Sequence, residues 1–259
     1  MPAVLIVGGC QDAAPGMIDF RLPTPRRLAF LARLGRREIG LIAGLFVVAA
    51  LILGFGLLAE KVIEGDTAAF DETVLLAFRT PGDPADPIGP PWFEEFVRDV
   101  TALGSYAFLG FLLLATVGYL LLIGKRHLAV LMGVAVLGGE LLSNLLKIGF
   151  GRPRPELVAH GAQVFSPSFP SGHAMLSAVA FLTIGALLTR VQADRRAKAY
   201  IMTLAVLLTI AVGTSRVYLG VHYPTDVLAG WCVGAAWAAL CWVAALWLQA
   251  RGRIEPEGQ

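Results

Sequence analysis

Two histidines, one carboxylate and a surplus of cations are gathered in three short blocks of an otherwise largely apolar chain. They read Lys147-Ile-Gly-Phe-Gly-Arg152-Pro-Arg154-Pro155, then Pro170-Ser171-Gly172-His173, then Ser215-Arg216, followed by His222 and Asp226. Isolated charge is expensive inside a bilayer, so these groups must meet one another or an anionic ligand. Between Lys147 and Asp226 the acids are Glu156, Asp194 and Asp226, too few to neutralise the cations. Arg presents a planar fork to phosphate oxygens and Lys a point charge, so Lys147, Arg154 and Arg216 together suit a phosphoryl group. Ser171 can cap the helix that begins after it, and Gly172 lets backbone N–H groups approach an anion at that helix start. His222 precedes Asp226 by four residues. A carboxylate on one ring nitrogen leaves the other free to attack phosphorus. His173 is then the acid that protonates the departing alcohol and the base that next takes a proton from water.

Duller roles compete. The two histidines with Asp226 match a two-His, one-carboxylate metal site, but the neighbouring cations would repel the ion. Arg152 reads equally as an interface anchor or a partner of Glu156. Glu140 shares a helix face with Asn144 and Lys147 and is expected to serve a structural pairing below the site. His127 sits among Lys125 and Arg126, and His160 has no evident partner, so neither is expected to react.

The elements that must carry these residues follow from composition. Of 259 residues 56% are hydrophobic and only 15% charged, with mean hydropathy +0.70, which places the chain among integral membrane proteins. A net charge of +2 gives no reason to expect a nucleic-acid partner. Cys10, Cys232 and Cys241 show no metal or disulfide spacing. Apolar runs long enough to cross a bilayer cover 39–59, 105–123, 128–146 and 227–250, with shorter runs at 174–189 and 199–213 that borrow a turn from their flanks. The expected fold is an all-α bundle of six transmembrane helices over 39–250, with a basic tail at 1–38 and a short tail at 251–259. The connection 60–104 contains Pro81, Pro84, Pro87, Pro90 and Pro91, which forbid a continuous helix. On either side, Phe70, Val74 and Phe78, and Trp92, Phe96, Val100 and Leu103, recur at helical spacing. Amphipathic helices of that kind suit the membrane surface, here as a lid packed on the bundle.

Six spans put Lys147, His173, Ser215, Arg216, His222 and Asp226 on one face of the membrane. About two thirds of the 21 Lys and Arg residues fall in the tails and in the loops on the other side. The positive-inside bias therefore predicts cytoplasmic termini in the cell (inner) membrane and a reactive cluster at the outer face, periplasmic or extracellular.

In order and internal spacing the three blocks resemble the signature of the type 2 phosphatidic acid phosphatase family: Lys, six residues, Arg-Pro; Pro-Ser-Gly-His; Ser-Arg, five residues, His, three residues, Asp. No signature position is substituted. Three spaced blocks are a specific match where any one alone is weak. The resemblance implies a phosphohydrolase without metal or other cofactor, with His222 as nucleophile, His173 as acid and base, and Asp226 orienting His222. It also implies that Lys147, Arg154, Ser171, Gly172 and Arg216 hold the phosphate. The expected substrate is a membrane lipid carrying a phosphate monoester or pyrophosphate: phosphatidate, phosphatidylglycerol phosphate, polyprenyl pyrophosphate or a lipid A phosphate. Alternatives are a lipid phosphotransferase using the same intermediate and, from another class, an anion or lipid transporter. The transporter fits poorly, since the motifs lie at one membrane face rather than the midplane and no internal repeat is visible.

Overall fold

The computed structural model describes residues 36–160, 162 and 166–250. The chain divides into two compact units, Met1–Ile39 and Gly40–Gln259. Of the first, only the opening turn of a helix is described; the second holds the bundle. The expected basic tail up to residue 35 and the tail at 251–259 lie outside the described residues.

Eight helices and one hairpin are described in chain order: α1 (Arg36–Glu64), α2 (Ala68–Leu76), β1 (Arg79–Thr80), β2 (Asp83–Pro87), α3 (Pro91–Ala102), α4 (Tyr106–Leu122), α5 (Arg126–Phe150), α6 (Gly172–Val191), α7 (Arg195–Tyr218) and α8 (Pro224–Ala250). Five of them, α1, α5, α6, α7 and α8, are long and apolar enough to cross a membrane, and α3 with α4 forms a pair bent by 46° that passes the same test together. The two short apolar runs lengthen as expected, to 20 residues in α6 and 24 in α7.

At the centre stands α6, packed against α5, α7 and α8. Its buried face is rich in small residues, among them Ala174, Ser177, Ala178, Ala180 and Gly185. Without water to drive association, membrane helices gain from close backbone approach, which small residues permit. Gly230 and Gly234 of α8 do this against α6: a Cβ on Gly230 would lie 2.7 Å from the Ser171 carbonyl oxygen, and one on Gly234 would collide with that of Met175. Gly234→Ala should therefore lower stability by about 1–3 kcal/mol, the usual cost of overpacking, measurable as a reduced unfolding midpoint in detergent. By contrast α1 is nearly all lipid-facing, with Phe46 and Leu53 exposed, and touches the bundle where Phe55 packs on Phe150 and Phe169.

The connection departs from expectation in three ways. Between its helices the prolines leave a two-stranded antiparallel hairpin, turned by Thr80-Pro81-Gly82-Asp83. Pro follows the first turn residue and Gly82 takes φ +90°, the arrangement of a type II turn. In α2 the buried residues are Asp71 and Leu75, while Phe70 is exposed, so the face turned inward is rotated from the expected Phe70 stripe to bring a carboxylate inside. In α3 the inward face is Phe93, Val97 and Val100, and Trp92 and Phe96 point outward. Phe93 and Val97 pack on Tyr218, Leu219 and Val221, which seats α3 against the end of α7.

Candidate active site

Every sequence-predicted site residue comes from the same end of the bundle. Lys147 is in the last turn of α5, which Gly151 ends in a left-handed conformation (φ 59°), its N–H on the Lys147 carbonyl. That is an αL cap, and glycine takes it without a steric penalty. Arg152 and Arg154 come next in the loop. Ser171 occupies the N-cap position of α6 but makes no side-chain capping bond, contrary to expectation, with Gly172 and His173 in the first turn. Ser215 and Arg216 lie in the last turn of α7, and Pro224 opens α8, as proline prefers, with Asp226 two residues on. The two helix starts are tied directly: the Ser171 N–H donates to the Asp226 carbonyl oxygen at 2.9 Å.

His222 is 2% exposed and has its two ring nitrogens in different company. Nδ1 faces Asp226 Oδ2 at 3.4 Å, and Nε2 faces Arg154 Nη1 at 3.1 Å. A guanidinium only donates, so Nε2 is the acceptor and the proton sits on Nδ1, directed at the carboxylate. Burial, then the charges of Arg154, Arg216 and Lys147, hold His222 well below the usual imidazole pKa, so it is neutral, with an unprotonated Nε2 whose lone pair Arg154 occupies. Asp226 is fully buried; its Oδ2 also accepts the Tyr223 N–H at 2.9 Å, and its Oδ1 accepts from Arg152 Nη1 at 2.7 Å.

The cations are held by neutral oxygens, carbonyls for Lys147 and Arg154 and a hydroxyl for Arg216. Lys147 Nζ donates to the Pro167 carbonyl at 2.7 Å. Arg154 donates to the carbonyls of Ser166 (2.9 Å) and Val221 (2.6 Å). Arg216 Nη1 donates to Thr101 Oγ1 of α3 at 3.1 Å. His173 lies within electrostatic reach of Arg216, His222, Lys147 and Arg154. Neutral acceptors place these charges without neutralising them, which leaves them available to an anion. Ser143 Oγ, Ser171 Oγ and Arg216 Nε are buried with no hydrogen-bond partner among the described residues. Buried polar atoms are normally paired, so three orphans around one cluster of cations mark a place built for a polar ligand. A Cβ on Gly172 would lie 3.5 Å from both Lys147 Cε and Ser143 Oγ, occupying the space between them. Among the described residues no group of three His, Cys, Asp or Glu side chains is arranged to hold a metal ion.

Several residues depart from their sequence reading. Arg152 neither anchors an interface nor pairs with Glu156, which is exposed; it bridges Asp71 (2.8 Å) and Asp226 (2.7 Å). Burial works to lower its pKa, and Asp226 and Asp71 more than offset this, leaving it raised. His160 does have a partner, the Pro155 carbonyl at 2.6 Å. Glu140 Oε1 accepts from Asn144 at 2.7 Å, the expected one-turn pairing. Glu140→Gln should accordingly leave turnover within a factor of about three in folded protein, as a phosphate-release assay would show. Sequence reasoning missed Asp71, Thr101 and Ser143. Ser143 carried a usable signal, one helical turn before Lys147; the other two belong to the connection, far away in the chain.

The model of the PAP2 superfamily matches residues 128–250. The chain is 32% identical to phosphatidylglycerophosphatase B of Bacillus subtilis (strain 168) over 71% of its own length and 88% of the relative's. It is 37% identical to lipid A 1-phosphatase of Rhizobium johnstonii over 39% of its own length and 40% of the relative's. The crystal structure of a transmembrane PAP2-type phosphatidylglycerolphosphate phosphatase from Bacillus subtilis superposes with a TM-score of 0.71 at 28% identity, covering 82% of this chain and all of that one.

Proposed function

This chain belongs to the PAP2 superfamily, and from that premise we propose that it is a lipid phosphate phosphatase working through a phosphohistidine on His222. The observation that carries the proposal is the two-sided placement of His222, with Nδ1–H on Asp226 and the Nε2 lone pair at the cation cluster. As a phosphoryl group enters, Arg154 exchanges Nε2 for a phosphate oxygen, and Lys147, Ser171 and Arg216 supply further donors. Nε2 attacks phosphorus, the bond from phosphorus to the leaving oxygen breaks, and His173 gives that oxygen its proton. The substrate's own negative charge balances a protonated His173 among so many cations. His173, now neutral, takes a proton from water; the hydroxide attacks phosphorus, the P–N bond breaks, and inorganic phosphate and His222 are regenerated. The cations stabilise the charge that builds on the equatorial oxygens in both steps, so the cycle asks for no metal.

A site at the end of a membrane bundle meets substrates by lateral diffusion, which favours lipid phosphate monoesters and pyrophosphates of the kinds named for the relatives. Its position relative to the basic loops favours the outer face of the cell membrane, with cytoplasmic termini. The test is phosphate release by purified protein in chelator from a panel of phosphatidate, phosphatidylglycerol phosphate, polyprenyl pyrophosphate and lipid A phosphate. Release from at least one supports hydrolysis. Release only with an added acceptor shifts the reading to a transferase, loss in chelator to a metal enzyme, and none at all to transport.

The pH profile follows from the same histidine. His222 must be neutral to attack, and its pKa lies well below the ordinary value, so acidification through pH ~6.5 should leave the nucleophile intact. A limb of kcat/KM near pH ~6 should belong to the second ionisation of the phosphate ester and move when the substrate is changed. A fixed acid limb, with activity falling as pH drops through ~6.5 whatever the substrate, would contradict this assignment.

A further inference from the structure

Asp71 stands in α2, outside all three motif blocks, yet it is fully buried and saturated with donors. Its Oδ1 accepts the Thr225 N–H at 3.0 Å; its Oδ2 accepts from Thr225 Oγ1 at 2.7 Å, Thr67 Oγ1 at 3.2 Å and Arg152 Nη2 at 2.8 Å. The other arm of the same guanidinium, Nη1, donates to Asp226 Oδ1 at 2.7 Å and to Thr225 Oγ1 at 2.9 Å, and its plane lies 4.3 Å over the Tyr223 ring. Asp226 spends its remaining oxygen on Tyr223 N–H and His222 Nδ1. An unbroken chain thus runs from the connection between the first two spans to the nucleophile: Asp71, Arg152, Asp226, His222.

The geometry points to Asp71 as a positioning residue for His222, acting through Arg152 and Asp226; this inference rests on the phosphohistidine reading above. The physical reason is competition for one guanidinium. Arg and a carboxylate prefer a bidentate fork, and an Arg152 free of Asp71 could turn both arms to Asp226. That would engage Oδ2, the oxygen His222 needs. Asp71 holds one arm away, so Asp226 meets Arg152 through Oδ1 and keeps Oδ2 for the ring. Asp71 touches neither phosphate donors nor substrate, so its contribution belongs to the rate of attack and not to substrate binding.

Asp71 also caps the start of α8 through Thr225 N–H, so a purely structural role is the competing account. Asp71→Asn separates the two. An Asn can keep its oxygen on Thr225 N–H, whereas its NH2 cannot accept from Arg152. The expected result is a fall in kcat of about 10- to 100-fold at unchanged KM, with an unfolding midpoint in detergent close to that of the unsubstituted protein. In a cycle with Asp226→Asn, the second substitution should add no further loss, since both act along one chain. Should Asp71→Asn not fold, Arg152→Lys serves instead, because an ammonium lacks the rigid fork that assigns one arm to each carboxylate; the same kcat loss at unchanged KM is expected. Unaltered kcat in either folded variant, a loss carried by KM, or full additivity in the cycle overturns the inference. His222→Ala, assayed alongside, separates the two failures: activity retained there sinks the phosphohistidine reading, whereas an inactive His222→Ala beside a normal Asp71→Asn sinks only the role of Asp71.

Discussion

His222→Ala should cut phosphate release by at least about four orders of magnitude while the protein stays folded. Loss of a covalent nucleophile is among the largest single-residue effects known, and the donors that remain still bind phosphate and retain only a residual acceleration. Binding should survive: Lys147, Arg154 and Arg216 are anchored on backbone carbonyls and a threonine hydroxyl, none of which involves the imidazole except through Arg154. Inorganic phosphate or orthovanadate should therefore still raise the unfolding midpoint of the variant. Removal of the ring frees about one buried side-chain volume beside fully buried Val221 and Thr225, so the midpoint without ligand provides the folding control. A variant that releases phosphate at even a hundredth of the normal rate would be incompatible with nucleophilic attack by Nε2.

His173→Asn should show a different pattern, because a general acid matters in proportion to how badly the leaving group needs a proton. With a lipid alcohol as leaving group the loss should be about 10²- to 10⁴-fold. With an aryl phosphate, whose phenolate departs unaided, the first step should be nearly restored. Water still needs a base, so the phosphoenzyme should accumulate: a rapid burst of phenol, roughly one per protein molecule, and then slow turnover. Acid-labile, base-stable radiolabel on the chain would identify the P–N bond. Equal losses in the first step for alkyl and aryl substrates, with no phenol burst, would remove His173 from the acid role and leave it as a wall of the pocket. Its confinement fits an oriented acid, for a Cβ placed on Gly104 would come within 3.3 Å of the imidazole.

The bundle was legible because its signal is long and redundant. Runs of apolar residues at Arg126–Phe150 or Pro224–Ala250 announce helices whatever their neighbours, and helix alternation alone puts Lys147, His173, Arg216 and Asp226 at one end. The charged cluster was equally visible, since charge in such surroundings has few harmless uses. Contacts that join distant segments were not. Nothing about Ala-Ala-Phe-Asp-Glu-Thr-Val-Leu-Leu says that its aspartate, rather than Phe70, turns inward; the reason is a guanidinium 81 positions away and an α8 start in need of a cap. Arg152 was misassigned for the same cause, because the nearest acid in the chain, Glu156, is a poorer partner than two buried carboxylates brought in by tertiary packing. In α3, periodicity gave the helix but not the choice between two aromatic faces. Trp92 and Phe96 look outward, and periodicity alone does not tell an apolar face packed on protein from one left exposed.

The glycine contact between α6 and α8 sets more than stability. His173 rides on the first turn of one helix and His222 stands two residues before the other, and those helix starts are joined by a backbone hydrogen bond and pressed together at Gly230. The spacing of the two imidazoles is thus gauged by main chain against main chain, the least compliant ruler a protein has. In the proposed reaction attack and protonation lie on opposite sides of one phosphorus atom, so the tolerance for error is small, and a bulkier side chain at position 230 would widen the caliper before it touched any reacting group.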